Sequence, residues 1–324
     1  MPGGRVVLTA RDHRRGLPGT FRVVECPSCR LCRTDPWPDD PAAWYPDHYP
    51  QHGGAGSRRH DPQREQRPDH YPQHGGTGSL TTRVSLAALA RAGRSGGAVA
   101  RALGAAIPEA NTGGALRPGS RVLDVGAGTG GAVMALRQAG HDAWGVEPSG
   151  RAVQAAQAHG NPWLVRGALE EAVAGGGLPA GPWDLVRMSQ VLEHVPDPVG
   201  TLALVRGLMA RGGRLVVGVP NIRSLAGRMT NGSWDGLEVP RHLVHYDRDS
   251  LRWVLGLAGF RVASLRTTPL LGVLPGSLDA RTAGGTRQRG WGDTLPVRLA
   301  MYPLEWALGA IGQGDGLLAV AHPA

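Results

Sequence analysis

Between Arg121 and His322, short apolar runs alternate with stretches whose apolar residues recur at helical spacing. "RVLDV" reads as a strand and 131–139 as a helix, "DAWGVE" as a strand and 149–159 as a helix. "WLVRG" and "WDLVRM" are strands, 197–210 a helix, and "RLVVGV" a strand. Residues 250–259 form a helix closed by Gly259, and "FRVASLR" and "GLLAVAH" are the last strands. Strands that alternate with helices need crossovers, and right-handed crossovers place helices on both faces of one mainly parallel sheet. The predicted fold class is therefore α/β, doubly wound.

The first strand runs into Gly126-Ala127-Gly128-Thr129-Gly130-Gly131. Missing side chains let a ligand approach the backbone and admit positive φ. Glu147 ends the second strand, 19 residues beyond Gly128. An acid at that spacing can grip a ribose diol. In open α/β sheets, ligands bind beyond the carboxyl ends of the strands. Up to Glu147 the pattern fits a nicotinamide dinucleotide and S-adenosyl-L-methionine equally, since both carry adenosine with a free diol.

The downstream motifs separate the two. "VLDVGAGTG", "GVEPS", "WDLVRMSQVLEHVPDP" and "ARGGRLVVGVPN", extended by "EVPRHLVHYDRDSLRWVLGLAGFRV" and "GQGDGLLAVAHP", resemble the class I S-adenosylmethionine-dependent methyltransferases. The likeness is greatest to the group typed by the ubiquinone-biosynthesis O-methyltransferases. It implies a seven-stranded sheet whose last strand is antiparallel and lies between the fifth and sixth. It implies S-adenosyl-L-methionine as cofactor and methyl transfer to a small-molecule acceptor, most readily on oxygen. By the same resemblance, Asp124, Gly126, Ala127, Gly128, Thr129 and Gly130 frame the methionine end, and Glu147 takes the ribose. Pro148 and Ser149 lie beside the adenine. Ala168 and Leu169 offer backbone groups where relatives place an adenine-binding Asp, with Glu170 as the nearby acid. Ser189 and Gln190 wall the sulfonium.

An oxygen nucleophile gains from a positioned base, and His is the side chain poised near neutral pH. Three candidates fall at the ligand edge: His194 in "LEHVPDP", and His242 and His245 in "PRHLVHY". Each could equally pack or cap a loop. Glu193 could orient one of them or, as the resemblance to some relatives implies, bind a metal; no second acid stands at a clear ligand spacing, so no metal ligand is assigned there.

Residues 1–80 differ in character, rich in Arg, His, Pro and Gly. "PDHYPQHGGAGS" at 46–57 returns as "PDHYPQHGGTGS" at 68–79, a tandem duplication with a period of 22 residues. Two such units have little to bury and read as partly disordered chain. Cys26, Cys29 and Cys32 stand in "CPSCRLC". The leader resembles one found in some methyltransferases, where two Cys pairs form a zinc-ribbon-like knuckle; here only the second pair is kept, with Cys32 added. Structural zinc wants four ligands, which His13 or a histidine beyond residue 48 would have to complete. The alternative is a set of reduced thiols in a turn.

The chain then divides into a leader (1–80), N-terminal helices (81–116), the cofactor-binding core (117–268), an insertion expected to cover the acceptor (269–312) and the final strand (313–324). A formal charge of +9 invites a nucleic-acid reading. Every basic residue is Arg, however, and these are scattered. "SQVLEH" also stands where base-flipping amino methyltransferases carry an Asn/Asp-Pro-Pro-aromatic motif. Nucleic acid is therefore not expected as a partner. With no apolar run long enough for a bilayer and no signal-peptide core in the first residues, no membrane partner is expected and a cytoplasmic location is. A non-catalytic binding protein on the same fold is the remaining rival, opposed by the complete glycine loop and Glu147. The acceptor itself and the oligomeric state are not readable from the motifs.

Overall fold

The computed structural model describes residues 4–14, 17–37, 112–284 and 290–324. Both copies of the duplication, and most of the predicted N-terminal helices, lie outside the described residues.

The strands of the core are β4 (Arg121–Val125), β5 (Asp142–Glu147), β6 (Leu164–Arg166), β7 (Trp183–Ser189), β8 (Met209–Pro220), β10 (Phe260–Thr268) and β11 (Gly316–Pro323). They form one sheet in the order β10-β11-β8-β7-β4-β5-β6. β4 through β8 pair in parallel, while β11 runs antiparallel between β8 and β10. This is the arrangement expected from the resemblance, including the position of the last strand. The central strands β4 and β7 are buried on both faces, their apolar residues interrupted by the buried pair Asp124 and Arg187. Leu123, Leu185, Val186 and Met188 are fully buried, as a sheet covered on both faces requires.

Helices α1 (Gly131–Gln138), α2 (Gly150–Ala158), α3 (Leu169–Ala174), α4 (Pro198–Leu208) and α6 (Arg248–Leu257) supply that cover. Their starts carry the expected chemistry. Ser149 accepts from Ala152 N–H, Asp197 from Gly200 N–H, and Asp247 and Ser250 satisfy each other's backbone N–H. The six-residue α3 and α5 (Leu225–Thr230) are too short to show a helical period and were not anticipated.

The leader holds more structure than its composition suggests. β1 (Arg5–Ala10), β2 (Phe21–Glu25) and β3 (Cys32–Asp35) form an antiparallel meander, and β3 pairs with β9 (Val244–His245), which comes from the segment between β8 and β10 and completes this second, four-stranded sheet. Residues 269–312, read as a Pro-, Gly- and Arg-bearing insertion before the final strand, contain two helices, α7 (Val273–Thr282) and α8 (Leu295–Ala310). Internal prolines, Pro275 and Pro303, disguise them. Together these parts build a second core. Ala10, Phe21, Val23 and Cys32 from the leader pack with Trp234, Leu237 and Val239, and with Leu274 and Leu308 from the two helices.

Candidate active site

The glycine loop leaves β4 and turns sharply into α1. Gly126, Gly128 and Gly130 adopt φ of +71°, +56° and +73°, in the left-handed region that glycine enters without penalty. Gly126 and Ala127 N–H both donate to Val146 O, at 2.8 and 3.0 Å, which stitches the loop to β5. Space is as tight as the backbone. A Cβ on Gly126 would lie 2.4 Å from Val191 Cγ2, and one on Gly130 2.3 Å from Asn161 Nδ2. Asn161 also donates to Gly130 O at 2.9 Å.

Glu147 is 1% exposed at the tip of β5. Its Oε2 accepts Gly128 N–H at 2.8 Å and its Oε1 accepts Ser149 N–H at 2.9 Å. Burial pushes this carboxyl up to about 7, against the two backbone donors that hold it down. Each oxygen keeps a second lone pair, so the pair suits the two hydroxyls of a ribose. Asp124, also buried, pairs with Arg187 at 3.3 Å; burial raises its pKa and the guanidinium lowers it. Ser189 Oγ at the end of β7 is buried and without a hydrogen-bond partner. Gln190 follows at φ +56°, its N–H donating to Gly218 O at 2.8 Å. The structure thus gathers Asp124, the glycine loop with Ala127 and Thr129, Glu147, Pro148, Ser149, Ser189 and Gln190 on adjacent strand tips. Ala168 and Leu169 begin α3 beyond β6. Leu169 turns its side chain into the core, Ala168 N–H donates to Glu171 at 2.9 Å, and Glu170 accepts Thr201 Oγ–H at 2.7 Å. Glu170 is therefore committed to α4.

The three histidines converge. His194 sits in a short helical turn after β7, and its Nδ1 lies 3.1 Å from Arg241 O. His242 Nδ1 lies 2.9 Å from Gly236 O. A carbonyl can only accept, so both rings hold a proton on Nδ1 and a lone pair on Nε2. The two rings meet edge to face at 4.7 Å. His245 is 6.5 Å from His242 but faces the leader. Thr34 Oγ1 donates its one proton to His242 O at 2.6 Å, so it accepts from His245 Nε2 at 2.9 Å. Burial lowers the pKa of both rings, His242 well below its ordinary value and His245 to about 3.

Glu193 stands directly before His194 in the same motif. It is 1% exposed, and neither carboxylate oxygen has a hydrogen-bond partner. Burial raises it to about 8. Glu193, His194 and His242 each bring one donor atom to within 4.8 Å of the others, a spacing that could also hold a cation. This is the one such group among the described residues. The cysteines form none. Cys26 and Cys29 lie in the turn between β2 and β3, whereas Cys32 is 3% exposed in the second core and its thiol is pushed up to about 12 by burial.

A family model described as a methyltransferase domain matches residues 97–265, just over half of the chain. The chain belongs to the class I S-adenosylmethionine-dependent methyltransferases. S-adenosyl-L-methionine is the cofactor of that family, and the Glu147 carboxylate beside the glycine loop fits its ribose. Among curated relatives, the ubiquinone biosynthesis O-methyltransferase of Bordetella avium is 38% identical over 103 residues, 29% of this chain and 40% of that protein. The protein of the same name from Xylella fastidiosa is 35% identical over 119 residues, 34% of this chain and 46% of that one. The methyltransferase chain thus spans under half the length of the curated relatives it matches. A SAM-dependent methyltransferase from Archaeoglobus fulgidus superposes with a TM-score of 0.42 at 20% identity, over 63% of this chain and 86% of its own. Magnesium protoporphyrin IX methyltransferase from Synechocystis gives 0.39 at 16%, over 76% and 81%. Among the described residues, no helix is long and apolar enough to cross a membrane.

Proposed function

We propose that this protein methylates a hydroxyl group of a small-molecule acceptor, with His194 as the general base and His242 as its partner. The observation that carries this reading is the tautomer assignment: both rings are held through Nδ1 by backbone carbonyls, which puts the lone pair on Nε2. Bound S-adenosyl-L-methionine supplies a methyl group already activated by its sulfonium. Glu147 holds the ribose, and the backbone of residues 126–130 supports the methionine end. The chain's remaining work is to align the acceptor, exclude water and accept the hydroxyl proton at Nε2. Alignment contributes about 7–11 kcal/mol of the barrier, and a positioned base roughly 10²–10⁴ in rate. The curated relatives are O-methyltransferases by name, which favours oxygen over carbon or nitrogen as the acceptor atom. His245 is assigned to the seam between leader and core, because its Nε2 proton is committed to Thr34.

The test uses radiolabelled S-adenosyl-L-methionine with a panel of catechols and other phenols. His194→Ala should cut the rate by roughly 10²–10⁴ and leave cofactor affinity unchanged in calorimetry. His245→Ala should act mainly on stability. If His194→Ala and His242→Ala both keep wild-type rates on a methylated acceptor, the reaction proceeds without a histidine base.

A further inference from the structure

We infer that the leader belongs to the catalytic machinery, and that Asp12 is a positioning residue: through Arg241 it sets the orientation and tautomer of His194. This rests on the reading of His194 as the base.

The loop from Trp234 to His242 carries the Arg241 carbonyl that receives His194 and the Gly236 carbonyl that receives His242. The loop turns on itself, Arg241 and His242 N–H both donating to Glu238 O at 3.0 and 3.2 Å, and Leu243 N–H ties its end to Glu193 O at 2.8 Å. Three consecutive residues of the leader then hold its side chains. Asp12 takes the Arg241 guanidinium in a two-pronged contact, Nη1 to Oδ2 at 2.8 Å and Nη2 to Oδ1 at 2.9 Å. Their side chains are 1% and 0% exposed. The third donor, Arg241 Nε, reaches Glu238 Oε1 at 3.2 Å. His13 contacts Asp235 at 3.2 Å, and Arg14 bridges Asp235 and Glu238 at 3.3 and 2.9 Å.

This geometry does more than join two segments. A bidentate guanidinium–carboxylate pair fixes both distance and angle. Arg241 therefore has its side chain locked by Asp12 while its carbonyl oxygen locks His194. Glu238 ends 3.8 Å from His242 Nε2, so the same charge cluster borders both rings. A buried ion pair is poor value as mere glue, because an apolar pair of the same volume would serve as well or better. What it adds here is a fixed register between the leader and the loop that carries the catalytic acceptors.

Three full-length variants test the assignment: Asp12→Asn, Asp12→Glu and His194→Ala. Histidine ring nitrogens are read by long-range proton–nitrogen NMR, which needs no substrate. Methylation is read as kcat and KM separately, and cofactor affinity by calorimetry. In the wild type, His194 should show the Nδ1–H tautomer. Asp12→Asn should give a mixture of tautomers and a kcat lower by on the order of 10- to 100-fold, with cofactor affinity unchanged. Asp12→Glu, which keeps the charge, should recover part of both. If Asp12→Asn does not fold, Asp12→Glu alone decides, since one extra methylene spoils the bidentate fit while preserving the ion pair. A wild-type tautomer and kcat within twofold in Asp12→Asn, or in Asp12→Glu where only that variant folds, would overturn the inference. Should His194→Ala keep full activity, the base reading fails instead, and the NMR measurement still reports whether Asp12 orients the ring.

Discussion

Glu147 shows how a single side chain can serve the fold and the ligand together. Its carboxylate ties Gly128 to Ser149 through two backbone N–H groups and so closes the gap between the glycine loop and α2. Glu147→Ala removes both acceptors and, on the proposed reading, the group that takes the ribose. It should weaken S-adenosyl-L-methionine binding by about 1–3 kcal/mol, the usual cost of unpaired polar groups. Isothermal calorimetry checks this, and an unchanged Kd would remove Glu147 from the site. Glu193 makes the opposite case, a buried carboxyl with no partner beyond its own backbone. Its folded pKa of about 8 stands above the ordinary 4.5. Below pH 4.5 both folded and unfolded chains hold the proton and nothing is lost. Between 4.5 and 8 only the unfolded chain ionises, so stability falls by up to about 1.4 kcal/mol for each pH unit crossed. Above 8 the deficit is constant. Glu193→Gln should therefore raise the melting temperature at pH 8.5, and the margin should narrow as pH falls toward 4.5. A margin independent of pH would mean that Glu193 keeps an ordinary pKa.

The elements at the ligand edge constrain one another. The loop after β4 and the turn after β7 touch where Gly126 faces Val191, and that contact fixes the distance between cofactor cradle and His194. A methyl at residue 126 faces two separate obstacles, the +71° φ and the 2.4 Å approach to Val191 Cγ2. Gly126→Ala should lower the melting temperature and weaken cofactor binding. The left-handed conformation alone accounts for about 1–2 kcal/mol. Val191→Ala in the same chain relieves the clash and not the dihedral, so the double variant should recover part of the loss. A double variant no more stable than Gly126→Ala would show that the backbone conformation alone is limiting.

At the scale of the whole molecule, the leader sheet is packed and paired against later segments of the methyltransferase chain. β3 finds its outer neighbour in β9, and Phe21 and Val23 pack against residues from the 234–239 loop and both insertion helices. Phe21 is 7% exposed. Phe21→Ala should cost about 3–5 kcal/mol and should destabilise the cofactor site with the leader, giving one cooperative melt by circular dichroism. A two-step melt, with cofactor binding retained after the first step, would show that the leader unfolds independently.

The features that can be read from the sequence are those whose determinants lie close together along it. Each strand–helix pair from Arg121 onward, the glycine loop and the acid 19 residues past Gly128 are local patterns, and the structure places them as their spacing requires. Long-range pairing leaves no such mark. β1 to β3 are four to six residues long, no longer than several core strands, but no helical segments alternate with them to mark them out. Their partner strand, Val244–His245, has two residues and follows from the pairing rather than causing it. The same limit applies within the site. "LEHVPDP" and "PRHLVHY" nominate three histidines, but no local pattern tells which nitrogen each one commits. That is decided by a carbonyl 47 residues from His194 and by Thr34, 211 residues from His245. Asp12 and Arg241 are 229 residues apart. The sequence determined the sheet and the cofactor cradle, because helix period, strand length and glycine geometry are properties of neighbouring residues. The tertiary structure alone decided which nitrogen each histidine commits, because a buried polar group takes whatever partner the packed chain brings within reach.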